Sequence, residues 1–219
     1  MHDKHYPNES ADYRTARNEL LLAELELRRR VEEVAALRRT LPAGGKVSQD
    51  YVFVDTTRKT VKLSQLFGKK DTLILYSWMF APKNKNPCPM CTSMIDSWEG
   101  TAPHLSQQVA FAIVGRSPAK KLKAMAKSRG WKNLRVLSSE KNDYNKDYLG
   151  EESLENQNPM LNVFVKRGKD IHHFWGSEGL FTKTGDGLDA RHVDPFWPLW
   201  HLLDATPKGR GDWYPKIKY

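Results

Sequence analysis

The sequence predicts an α/β fold, a mixed sheet sandwiched by helices, and three observations carry that expectation. Residues 72–80 form a nearly unbroken apolar run, as a central strand covered on both faces requires. Helix and strand patterns alternate after that run, which layered α/β architectures produce. Residues 161–165 and 171–175 then flank Lys166-Arg167-Gly168-Lys169-Asp170, a Gly-containing loop that signals a hairpin. A chain of 219 residues with 39% hydrophobic residues and seven Trp has enough apolar material for one substantial core without disulfide staples or a structural metal.

The elements follow in order. Ser10 offers an N-cap for a long helix running to about Thr40. Tyr13, Ala16, Leu20, Ala23, Leu27, Val31, Val34 and Leu41 recur at spacings of three and four, with one slip, so an apolar stripe runs down one side. Glu24 with Arg28 and Glu26 with Arg30 stand four apart, the spacing of helical ion pairs. Pro42-Ala43-Gly44-Gly45 ends the helix and reads as a linker. The expected organisation is therefore an N-terminal helical extension and linker over 1–45, then one domain over 46–219 with a C-terminal helix and tail. The stripe must be buried somewhere, either on its own sheet or against a second copy, and the linker favours a homodimer through this helix.

Within the domain, residues 51–54 and 61–63 read as short strands, and Ser64 is placed to cap a brief helix through Leu66 and Phe67. After the strand at 72–80 comes a loop over 81–87. Met94, Ile95 and Trp98 then fall at helical spacing. Residues 109–114 form the next buried strand, followed by Ser117-Pro118 as cap and first turn of a helix ending near Gly130, and by a strand at 134–137. Asp194 and Pro195 open a last helix whose buried side is Phe196, Leu199, Trp200 and Leu203.

Several function classes are disfavoured. The first residues are polar and charged, the wrong chemistry for a secretory signal, so a cytoplasmic setting is expected. The longest apolar stretch is about half the length that crosses a bilayer, so no membrane partner is expected. The formal charge of +9 is spread along the chain, and Arg28-Arg29-Arg30 alternates with acidic residues as a solvated helix face does, so no specific nucleic acid is implicated. There is no Gly-rich phosphate loop and no Gly-x-Ser-x-Gly elbow.

The two cysteines are the sharpest feature. They stand in the run Cys88-Pro89-Met90-Cys91, after a strand and before a helical pattern. At the first turn of a helix, unsatisfied N–H groups and the dipole stabilise a thiolate at Cys88, while Cys91 sits one turn in and is shielded. Cys88 would attack a substrate disulfide, and Cys91 would resolve the mixed disulfide. Pro89 stiffens the turn, and Lys83 and Lys85 stand ready to add positive potential. The competing reading is half of a zinc site. Its further ligands would have to come from His2, His5, His104, His172, His173, His192 and His201, none of which forms a pair at zinc-finger spacing. No metal and no cofactor are expected. His172 and His173 point to opposite faces of their strand, and neither is assigned a catalytic role.

The order strand, loop, CxxC, helix, strand, helix and hairpin resembles the thioredoxin superfamily. The whole chain is similar, more closely, to a bacterial family of predicted dithiol-disulfide oxidoreductases, the domain of unknown function 899. The carrying segments are Tyr13 to Leu21 with Glu24 to Arg29, then Cys88-Pro89-Met90-Cys91, and Asp204-Ala205-Thr206-Pro207-Lys208-Gly209-Arg210-Gly211. The resemblance implies a thioredoxin-like fold, a dithiol-disulfide oxidoreductase activity and a cytoplasmic protein. It implies catalytic Cys88 and Cys91, with Trp78, Pro89, Met90 and Pro159 on the substrate side. Pro159 matches the cis-proline that faces the dithiol in thioredoxins, whereas Pro87 stands where thioredoxins have Trp. The expected partner is a protein or small-molecule disulfide or thiol. Two alternatives remain: a thiol peroxidase of the same fold, suggested by the peroxiredoxin-like residues 61–68, and a non-catalytic module whose CxxC binds metal or merely packs.

Overall fold

The computed structural model describes residues 3–182, 185 and 194–219, which fall into two compact units, Met1–Pro42 and Ala43–Tyr219. The first unit is built on α1 (Ala11–Arg39). Ser10 caps it, its hydroxyl accepting from the Tyr13 amide at 3.1 Å, and Arg38 and Arg39 complement the dipole in the last turn. The ion pairs along it differ from the expected ones: Arg17 pairs with Glu24, Arg28 with Glu32, Arg29 with Glu26 and Arg30 with Glu33. Each Arg takes whichever acid its rotamer reaches, and exposed pairs of this kind contribute only about 0.3–0.5 kcal/mol. The helix buries none of its residues, and Leu20, Leu27 and Val31 of the predicted stripe are all more than half exposed.

The second unit is built on a seven-stranded mixed sheet. Its strands are β1 (Val52–Asp55), β2 (Thr60–Lys62), β3 (Thr72–Trp78), β4 (Ala110–Gly115), β5 (Arg135–Ser138), β6 (Leu161–Arg167) and β7 (Asp170–Gly176), in the spatial order β2-β1-β5-β4-β3-β6-β7. The pairs β3 with β4 and β4 with β5 are parallel, and the others are antiparallel. The helices are α2 (Leu63–Leu66), α3 (Pro89–Glu99), α4 (Ala102–Leu105), α5 (Ala119–Arg129), α6 (Tyr144–Asp147) and α7 (Pro198–Asp204). The predicted α/β sandwich is therefore the observed one, and its topology is thioredoxin-like.

Alternation along β3 divides the core in two. Tyr76 and Trp78 join Cys91, Met94, Ile95, Leu122, Trp131, Trp197 and Trp200 on the face covered by α3, α5 and α7. Leu73 and Leu75 join Phe53, Leu63, Phe67, Tyr144 and Phe164 on the other. Residues 44–47, expected as linker and domain start, are bonded along β7: His173 N–H donates to the Gly45 carbonyl at 3.0 Å and Val47 N–H to that of Ile171 at 2.8 Å.

Two predicted caps do other work. Ser64 lies inside α2, where its amide and hydroxyl donate to the Asp50 carboxylate at 2.8 and 2.7 Å. Ser117 does not cap α5, since its hydroxyl donates to the carbonyls of Phe80 and Ala81 at 2.7 and 3.0 Å. The last α-helix begins at Pro198 rather than Pro195, after a short 3-10 turn at Asp194–Phe196, and the side chain of Asp194 lies outside the described residues. Gly130 ends α5 as expected, with φ of 76° in the left-handed region that glycine adopts without strain.

Candidate active site

The site grows from the carboxyl end of β3. After Trp78 the chain leaves the sheet through residues 79–87 and returns to open α3 with Cys88 as the N-cap residue and Pro89 in the first helical position. Pro89 belongs there because that position has no helical acceptor for an N–H, which Pro lacks. The loop is tied down from two sides. Ser117 holds the carbonyls of Phe80 and Ala81, and the Lys121 ammonium donates to the carbonyls of Ala81, Pro82 and Asn84 while lying 4.6 Å over the Phe80 ring. The Cys88 amide donates to the Met79 carbonyl at 3.0 Å, which closes the loop beside the strand end.

Burial separates the two thiols. Cys88 is partly accessible, whereas Cys91 is 2% exposed and packs in the core with Met94 and Ile95. The Cys88 sulfur lies 3.5 Å from the amide nitrogen of Cys91, which donates to it. The Cys91 thiol, helped by the amides of Cys91 and Met90, draws the Cys88 thiol down from 9.0 to about 6, against the opposing effect of burial. Burial, with the Cys88 sulfur alongside, pushes the Cys91 thiol well above the usual thiol range. The site therefore holds one thiol drawn toward its thiolate and, next to it, one held in its protonated form. Lys83 and Lys85 play no part in this balance: Lys83 is paired at 2.9 Å with Glu155, and neither lysine is among the causes of the shift.

The remaining expected site residues are distributed unevenly. Pro89 is exposed and Met90 half-buried, both on the first turn of α3 beside Cys88. Trp78, expected on the substrate side, is 0% exposed and packs against Phe80 and Trp131. It supports the site from beneath: its indole N–H donates to the Thr92 hydroxyl at 3.2 Å, and that hydroxyl donates to the Cys88 carbonyl at 2.8 Å. Pro159 is buried just before β6, and no cis peptide bond occurs among the described residues. Among the described residues no group of three or more His, Cys, Asp or Glu is arranged to hold a metal ion; His2 and His192 of the zinc reading lie outside them. No helix among the described residues is long and apolar enough to cross a membrane.

Three contributors went unread in the sequence. Thr92 follows Cys91 and sits four residues after Cys88, the spacing at which a threonine hydroxyl bonds back to a helical carbonyl, so it was findable. Tyr76 stands two residues before Trp78 on the same face of β3, also a legible position. Lys121 had no local signal.

Fold and site together define a thioredoxin-fold protein with a CxxC at the start of a helix. The chain belongs to the family described as Bacterial protein of unknown function (DUF899), whose model matches residues 2–219. No curated protein sequence matches the chain. Among solved structures it is similar to the peroxidoxin BcpB of Mycobacterium tuberculosis, at 19% identity and a TM-score of 0.44 over 57% of this chain and 78% of that one. It is similar to the exposed lipoprotein thioredoxin Etrx1 of Streptococcus pneumoniae, at 21% identity and 0.41 over 64% and 91%. Peroxiredoxin Q of Xanthomonas campestris is a third, at 11% identity and 0.49 over 61% and 84%.

Proposed function

We propose that this chain is a thiol-disulfide oxidoreductase in which Cys88 is the nucleophile and Cys91 the resolving thiol. The observation that carries the reading is the asymmetry of the pair, an accessible low-pKa sulfur on a helix N-terminus with a buried, protonated one against it. The Cys88 thiolate attacks a disulfide, one sulfur of the substrate leaves as a thiol, and Cys91 then displaces the other by forming the Cys88-Cys91 bond. Stabilising the thiolate stabilises the reduced pair, which makes the disulfide form the more oxidising. Pro89 and Met90 flank the nucleophile and serve as contact points for a protein or small-molecule disulfide. Pro159, buried just before β6, is a further candidate for that contact. A cytoplasmic setting, where thiol reductants regenerate the dithiol, belongs to this proposal. So does self-association through α1, whose exposed stripe is flanked by both charge signs and so suits pairing with its own copy.

Replacing Cys88 with Ser is expected to abolish reduction of insulin by dithiothreitol-charged protein, and full retained activity would refute the assignment. The same thiolate is also a nucleophile toward peroxide. Consumption of peroxide with a thiol donor, faster than disulfide exchange, would favour the peroxidase reading.

A further inference from the structure

Tyr76 presents a problem that the exchange chemistry resolves. Its side chain is 0% exposed, and its ring packs edge-on against Trp98 at 5.1 Å. Its hydroxyl has no hydrogen-bond partner of good geometry, and the polar groups within its electrostatic reach are the thiols of Cys91 and Cys88. A buried O–H without a partner destabilises the fold, because it has given up water and gained nothing in return. Phe would fill the same space without that penalty. The Cys91 sulfur has its own difficulty, because it must become an anion inside the core once Cys88 is occupied by substrate.

The geometry points to Tyr76 as a catalytic residue of the resolving step, its O–H donating, together with the Met79 backbone N–H, to the Cys91 thiolate as that thiolate forms. Tyr76 and Cys91 lie in the same buried cluster on this face of the sheet, and both donors favour ionisation of that sulfur against its burial. This inference rests on the exchange reading above and assigns the half of it that a buried thiol makes difficult.

The roles follow from which group keeps its proton. In the resting dithiol, the Cys91 S–H donates to the Cys88 thiolate. When Cys88 is bound in a mixed disulfide that anion is gone, and Cys91 must release its proton before it can attack. Tyr76 is not the base, because burial holds its own ionisation well above the usual tyrosine range. It remains a donor throughout, and its dipole stabilises the new anion in a region that water does not reach. Cys91 then bonds to the Cys88 sulfur, the Cys88-substrate S–S bond breaks, and the leaving sulfur takes up the proton that Cys91 gave. One dithiol is oxidised and one substrate disulfide reduced.

The test uses the reduced full-length chain and one equivalent of an aromatic disulfide whose thiolate product absorbs in the visible. Attack by Cys88 releases the first equivalent of chromophore, and resolution by Cys91 releases the second. In Tyr76→Phe the first phase should keep its rate, while the second slows by about ten-fold or more, the factor lost with one hydrogen bond to an ion. The pH dependence of the second phase should also move upward. Thermal stability of the reduced variant should be unchanged or raised, which a merely structural hydroxyl would not give. If the parent chain shows both phases and Tyr76→Phe resolves at the same rate with the same pH profile, the role of Tyr76 is overturned and the exchange reading stands. If the parent chain releases only one equivalent, both are overturned.

Discussion

Alkylation of reduced Cys88 by iodoacetamide should rise with pH about a midpoint near 6, because only the thiolate reacts and the surrounding donors hold it there. The hydrogen bond from the Cys91 thiol is the largest of those influences. Cys91→Ala should therefore move the midpoint upward, toward 9.0, and an unmoved midpoint would assign the shift to the helix amides instead. Thr92→Val keeps the shape of the side chain but removes the acceptor for Trp78 and the donor for the Cys88 carbonyl. Leaving the indole N–H unsatisfied should cost about 1–3 kcal/mol in denaturant unfolding. The two cysteines were legible because they are the only two and stand at redox spacing before a helical pattern. Trp78 was misplaced for a reason that the strand itself supplies. A strand buried on both faces has no polar alternation to show which side chains look outward, so an aromatic at its end reads equally as surface or core.

Element boundaries were mostly readable, while the partners of the capping residues were not. The positions of α1, α3 and α5 follow from apolar spacing and from Ser10, Pro89 and Gly130, all of which act within a few residues. Ser64 and Ser117 also carry the right side chain in the right place, yet each is claimed by a group distant in sequence: Asp50 in one case and the carbonyls of Phe80 and Ala81 in the other. Local propensity does not see such competition. The same limit hid Lys121, whose three carbonyl partners exist only once α5 has packed beside the loop at 81–87. Apolar side chains of the α1 stripe are exposed, Leu27 at 65%. Light scattering should give twice the chain mass of 25.2 kDa. Leu27→Glu with Val31→Glu should return the value to that of one chain, and a monomeric parent would end the pairing proposal.

At the scale of the whole molecule, the low pKa of Cys88 is a statement about folding. The thiol ionises near 6 in the folded chain against 9.0 for an unperturbed one, so between those values the unfolded state binds more protons. Stability of the dithiol form should therefore increase as pH rises from about 6 to about 9, relative to Cys88→Ser, and the gain should vanish as pH falls through 6. Chemical denaturation of both proteins under reducing conditions checks this, and parallel pH curves would contradict it. The sandwich around the sheet was foreseen because the alternation of strand and helix is written in the periodicity. The strand order was not, since it depends on pairings between residues far apart in the chain.

One of those pairings has a temporal side. β3 lies between β4 and β6, and Thr72 meets Val165 across the antiparallel border. During synthesis the two sulfurs emerge well before that border exists, so a nascent chain carries both cysteines on a scaffold with one open flank. Until the ribosome has passed Val165, the central strand offers its free backbone groups to any extended peptide nearby.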